Sequence, residues 1–117
     1  MSEQPGILCL RFRRVGGGLP DGAAYTGLLA LLGSFTPLVE AAPPDGALAD
    51  VRGALRYFGR DVTGLASVIR VRALALHGVD CAIGAAENPM LARMALRQAA
   101  PGTTFVVPAG GAAAFLA

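Results

Sequence analysis

A chain of 117 residues, 54% hydrophobic with a mean hydropathy of +0.55, has enough apolar material for one domain with its own core and is too short for a large multidomain enzyme. Aromatic residues make up 6% and Trp is absent, so the core must pack on Leu, Val and Ile and on close backbone approach at Ala and Gly. The net charge is +2 and all 10 basic residues are Arg, a balance too mild for diffuse attraction to nucleic acid; phosphate affinity would need local clusters of guanidinium groups.

In chain order, residues 7–12 (ILCLRF) are an apolar run of strand formers, followed by basic residues and the triple glycine 16–18. That glycine run lacks the Lys and Ser/Thr of a phosphate-binding loop and predicts a plain loop in place of a larger insertion. Asp21 can cap a helix in which Tyr25, Leu28, Leu29 and Leu32 recur at helical spacing, with Pro37 as its limit. Residues 38–40 and 47–51 predict two strands joined by an irregular, proline-interrupted turn through Asp45. Asp61 opens a second helix with Val62, Leu65, Val68, Ile69 and Leu76 on its apolar stripe and Gly78 as its stop. His77, in its last turn, suits the helix dipole.

Residues 79–83 predict a further strand. Asn88 and Pro89 then supply a capping side chain and a proline at the first helical position, opening a helix that runs to Pro101 and Gly102. Met90 and Met94, one turn apart, are expected in the core. Residues 103–107 predict a last strand, and the run AAAFLA stops in mid-pattern, as in a shortened chain. The order β, α, β, β, α, β, α, β predicts an α+β fold, a ferredoxin-like split βαβ sandwich whose mixed sheet carries helices mainly on one face. That order names no function, because regulatory domains, RNA-binding domains and polymerase palms share it.

Cys9 and Cys81 show no short metal or redox spacing and fall in apolar strands, which predicts buried free thiols in a reducing cytoplasm. Residues 22–39 and 98–117 are uncharged, but prolines interrupt both, so no membrane span and no membrane partner are expected. The start MSEQPG lacks the basic head and apolar heart of a signal peptide.

Three segments carry chemistry: residues 7–13 (ILCLRFR), residues 35–59 (FTPLVEAAPPDGALADVRGALRYFG) and residues 81–95 (CAIGAAENPMLARMA). In this order they resemble the palm of Y-family (translesion) DNA polymerases, especially the actinobacterial type, over most of residues 7–107. The resemblance implies a single palm-like domain over residues 1–117 without fingers, thumb or little finger. It also implies a site where carboxylates hold two divalent cations. Carried over residue by residue, that site is degenerate. Arg11 stands at the first-strand Asp and Arg13 at the next acidic position. Pro43, Asp45 and Gly46 stand at the Ser, Asp and Glu of the S-x-D-E motif, and Ala100 at the triphosphate-facing Lys. Asp50 and Asn88 match family positions. At an effective dielectric near 20, a unit positive charge about 4 Å from a divalent ion repels it by about 8 kcal/mol. Asp45 is therefore the one candidate catalytic residue, and no metal cofactor is expected.

From the residues alone, Asp45 between Pro44 and Gly46 has turn composition. Arg11 and Arg13 share the strand face opposite Phe12, where they are solvated, fill the former metal site, or meet nucleic-acid phosphate. Arg52, Arg56 and Arg60 recur every four residues and form a basic stripe if their segment is helical, either solvated or set against DNA. The leading expectation is a non-catalytic component of DNA repair and translesion synthesis that meets DNA, at the nucleoid, or a repair protein. Two alternatives stay open: an active Mg2+-dependent translesion polymerase, and a ferredoxin-like sensing or oligomerisation module that forms homo-oligomers.

Overall fold

The computed structural model describes residues 4–116. Met1–Glu3 and Ala117 lie outside them, and with these part of the signal-peptide expectation and the end of the AAAFLA run. The elements are β1 (Ile7–Arg14), α1 (Gly22–Gly33), β2 (Val39–Ala42), β3 (Gly46–Asp50), α2 (Arg52–Phe58), α3 (Val62–His77), β4 (Val79–Ala86), α4 (Pro89–Gln98), β5 (Thr104–Val106) and α5 (Ala112–Leu116). One five-stranded sheet has the order β2-β3-β1-β4-β5, in which β4 and β5 pair parallel and the other neighbours antiparallel. β1 at the centre between β3 and β4 is the split βαβ arrangement, with β5 added beyond β4.

Strand alternation divides the apolar side chains between two layers. Leu8, Leu10 and Phe12 of β1 pack with Leu28 and Leu32 of α1 and Leu65 and Ile69 of α3. Ile7 and Cys9 belong to a second cluster with Leu91, Ala92 and Ala95 of α4. The two long helices thus share one face, and α4 covers part of the other. Side-chain caps fix where the helices begin. Asp21 accepts from the Ala24 amide (2.8 Å), Asp61 from Gly64 (2.7 Å) and Asn88 from Leu91 (2.9 Å). Gly78 ends α3 in the left-handed region at φ 63°.

Four details depart from the sequence expectations. α2 is an additional helix: seven residues behind Val51, which gives no side-chain cap, held by burial of Ala54 and Leu55. The buried stripe of α3 runs through Ala66 and Ala73 rather than Val68 and Leu76; Val68 is half-buried and Leu76 is 65% exposed. At the end of α3 the two helices meet closely, since a Cβ on Gly27 of α1 would fall 2.3 Å from Cε1 of His77. Met90 is exposed, not in the core, because it precedes the first inward position of α4, Leu91. Both cysteines are free, and Cys81 is buried while Cys9 is only half-buried. Among the described residues no helix is long and apolar enough to cross a membrane.

α4 sits on β4 at main-chain distance. A Cβ on Gly84 would lie 2.2 Å from the Leu96 nitrogen and 2.4 Å from the Ala92 carbonyl oxygen. Both atoms are backbone, so the helix itself would have to retreat. Gly84→Ala is expected to destabilise the fold by on the order of 3 kcal/mol, an overpacking penalty. Gly33→Ala, where a Cβ meets nothing within 4 Å, should be neutral or stabilising by up to about 1 kcal/mol. Urea denaturation of the two variants checks both signs.

Candidate functional site

The register of β1 against β3 sets Arg11 opposite Gly46, and the Phe12 amide donates to the Asp45 carbonyl at 2.7 Å. The β2–β3 turn, which holds the cis Pro43–Pro44 bond, therefore delivers Asp45 beside the far half of β1. From α1 the Tyr25 hydroxyl donates to the Gly46 carbonyl at 2.7 Å, while its ring packs edge-on against Phe12. These contacts hold one wall of a cleft of about 230 Å³ lined by Cys9, Arg11, Glu40, Asp45, Arg93 and Leu96.

Arg11 and Arg13 lie on the same side of β1 as Cys9, as strand alternation requires. The Arg13 guanidinium donates through Nη1 to Oδ2 of Asp45. The side chains are 42% and 24% exposed, so the pair contributes about 0–1 kcal/mol to stability. Its larger effect is chemical, since it occupies a carboxylate oxygen that a cation would need. Arg11 and Arg93 form no ion pair with a carboxylate among the described residues. Both act on the Cys9 thiol, whose pKa burial raises and whose rise Arg93, then Arg11, oppose.

This donor set does not fit a divalent cation. Asp45 is engaged, Glu40 is the other carboxylate lining the cleft, and two guanidinium groups line the same space. Among the described residues no three His, Cys, Asp or Glu side chains gather where they could hold a metal ion.

The remaining candidates lie outside the cleft. Asp50 accepts from Arg52 Nε at 3.0 Å and Nη2 at 2.7 Å and from the Arg52 amide at 3.1 Å, so it opens α2. The Arg52 side chain, chiefly through these hydrogen bonds, holds the Asp50 carboxyl below its ordinary pKa. Asn88 caps α4. Asp50 and Asn88 line an adjoining groove of about 510 Å³ that shares Glu40 and Leu48 with the cleft. The basic stripe is shorter than expected, because Gly59 ends α2 in the left-handed region and Arg60 leaves the helix that carries Arg52 and Arg56. Arg93, Glu40 and Tyr25 are site residues that the sequence does not single out.

The model of the impB/mucB/samB family matches residues 23–97. The chain belongs to this family. It is 36% identical over 89 residues to DNA polymerase IV of Dehalococcoides mccartyi (strain ATCC BAA-2100 / JCM 16839 / KCTC 5957 / BAV1), a match covering 76% of this chain and 23% of the relative. DNA polymerase IV 2 of Mesorhizobium japonicum is 38% identical over 88 residues, covering 75% and 21%. The chain thus spans less than a quarter of the length of these relatives. Among solved structures, the insertion ternary complex of Dbh DNA polymerase superposes with a TM-score of 0.71 at 24% identity, covering 80% of this chain and 27% of that one. DinB from Sulfolobus solfataricus gives 0.64 at 24%, covering 73% and 25%. The Y-family palm resemblance read from the motifs is borne out, and with it the α+β fold.

Asp50 titrates lower in the folded chain than in the unfolded one. Its pair with Arg52 therefore stabilises the fold above the unfolded carboxylate pKa of about 3.9 and loses that contribution as pH falls through the lower folded value. Asp50→Asn should melt below the native chain near neutral pH, with the gap closing as the pH drops below about 4. Thermal denaturation across that range checks the direction. Burial pushes the Cys81 thiol up to about 12. At about pH 8 a thiol reagent should label Cys9 and spare Cys81 until the chain unfolds.

Proposed function

We propose that this palm is catalytically degenerate and serves as a non-catalytic, DNA-associated component of translesion synthesis or repair. The observation that carries it is the Arg13 guanidinium seated on Asp45, with Arg11 in register opposite Gly46. By the resemblance, these are the positions where the family gathers metal ions. On this reading a guanidinium replaces the cation. It can hold a phosphate through parallel N–H donors, but it cannot activate a 3′-hydroxyl as a divalent ion does. Two further supports are that the relatives carry the name DNA polymerase IV and that one matching structure is a polymerase ternary complex. Arg11 and Arg93, which line the cleft, are then its phosphate-binding groups, with Arg13 held beside them on Asp45, and the protein works in the cytoplasm at the DNA.

A primer extension assay with Mg2+ tests the reading. No incorporation is expected, whereas duplex binding should weaken as salt rises. Arg11→Ala with Arg93→Ala should lower DNA affinity about tenfold at low salt and flatten the log–log salt slope by about 0.9 for each phosphate no longer neutralised. Metal-dependent incorporation that disappears in Asp45→Ala would instead establish an active polymerase and overturn the proposal.

A further inference from the structure

Beyond the cleft, the α1–β2 connection and α2 enclose a second apolar groove, of about 350 Å³, lined by Phe35, Leu38, Gly53, Ala54, Tyr57 and Phe58 among others. Its apolar groups lie open: Tyr57 is 83% exposed, Leu38 61% and Phe58 48%. One wall, the α1–β2 connection, is tied to the sheet. Thr36, the one buried polar side chain among the described residues, donates its hydroxyl to the Asp50 carbonyl at 2.7 Å and accepts from the Leu38 amide at 3.1 Å. Phe58 meets Phe35 at a centroid distance of 6.3 Å and Tyr57 at 4.9 Å. A concave surface of Tyr, Phe and Arg has the composition of an interface anchor site.

The rim is cationic. The Arg72 guanidinium stands 5.2 Å over the Phe35 ring, Arg56 adjoins Tyr57 in sequence, and Arg60 and Arg72 line the next groove with Val68 and Val71. Among the described residues none of these three arginines forms an ion pair, and the carboxylate that borders the groove, Asp50, is held by Arg52. The charge therefore calls for an acidic ligand, which single-stranded DNA and an acidic protein segment both supply. Ring geometry separates them. The Arg72 guanidinium covers one face of Phe35 and Phe58 is packed between Phe35 and Tyr57, so Tyr57 is the one ring of the groove left mostly open, too few for a run of stacked bases. A short concave pocket lined by the buried Ala54 and the side-chain-free Gly53 instead suits one inserted side chain.

We infer that this groove docks an acidic protein segment carrying a single aliphatic or aromatic anchor. No residue lining the cleft lines this groove, so the inference stands or falls separately from the fate of the acidic site.

The test is an NMR titration of the full chain with an acetylated Asp-Glu-Asp-Phe-Glu-Asp peptide, its counterpart with Lys at every acidic position, and a short oligothymidine. Saturable shifts confined to Phe35, Leu38, Gly53, Tyr57 and Phe58, from the acidic peptide alone, are expected. Gly53→Leu provides the plug: a Cβ there meets nothing within 4 Å, so the fold is kept while the groove is filled. It should weaken binding about tenfold, and Arg72→Glu should weaken it about fivefold. The inference is overturned by the absence of saturable shifts from the acidic peptide, by equal binding of the basic peptide, by oligothymidine seated in the groove, or by binding that survives Gly53→Leu.

Discussion

The main-chain contact between α4 and β4 at Gly84 sets the depth of everything on the second face of the sheet. Only a residue without a Cβ lets the Ala92 carbonyl and the Leu96 amide settle onto the strand. Around that point the residues facing one another are small or inward-pointing: Ala86, Ala92 and Ala95, with Leu91 and Ile7 filling the margin. The Asn88 cap and Pro89 start the helix at the place from which it crosses Gly84. α4 also brings Arg93 and Leu96 to the cleft, so the wall opposite Asp45 exists because of the same glycine. A motif that reads as a family signature is, physically, a packing solution.

The cleft has the backbone arrangement of a palm, and carboxylate and guanidinium groups line it. Register and the Tyr25 bond to Gly46 hold the β2–β3 turn against β1. The side chains that meet there are a carboxylate and a guanidinium, a partly exposed pair with little influence on folding. Fold and site are thus separable: the sheet is secured by Leu8, Leu10 and Phe12 on the far side, and residues 11 and 13 are free to vary in charge without loss of the core. On the proposed reading, that separability is what allowed an acidic site to become a basic one.

The strands and long helices were legible because each carries its own signal: Asp21, Asp61 and Asn88 as caps, Gly78 as a stop, ILCLRF as a strand. α2 was not, because seven residues behind an uncapped Val51 offer no period long enough to register. On the inner stripe of α3 hydrophobicity favours Val68 and Leu76, whereas the buried positions include the small Ala66 and Ala73 beside Leu65 and Ile69. Within the site, the motif resemblance pointed to Arg11, Arg13 and Asp45 as residues of one site but left open whether the arginines are solvated or meet Asp45; the Arg13–Asp45 contact comes from the structure. It did not point to Arg93 and Glu40, because what brings them to Asp45 is the seating of α4 and the pairing of β2, properties of the whole sheet that no local segment encodes.

The sheet ends in two short strands, β2 with four residues on one side and β5 with three on the other. Pro43 and Pro44 follow the first, Pro101 and Pro108 flank the second, and Glu40 places a charge on the first margin. Unsatisfied strand margins invite another chain to extend the ladder; short length, missing amide donors and charge all discourage it. Edge-to-edge pairing of two copies is thereby disfavoured, so the high alanine and glycine content does not by itself make this sheet a template for fibrous β assembly.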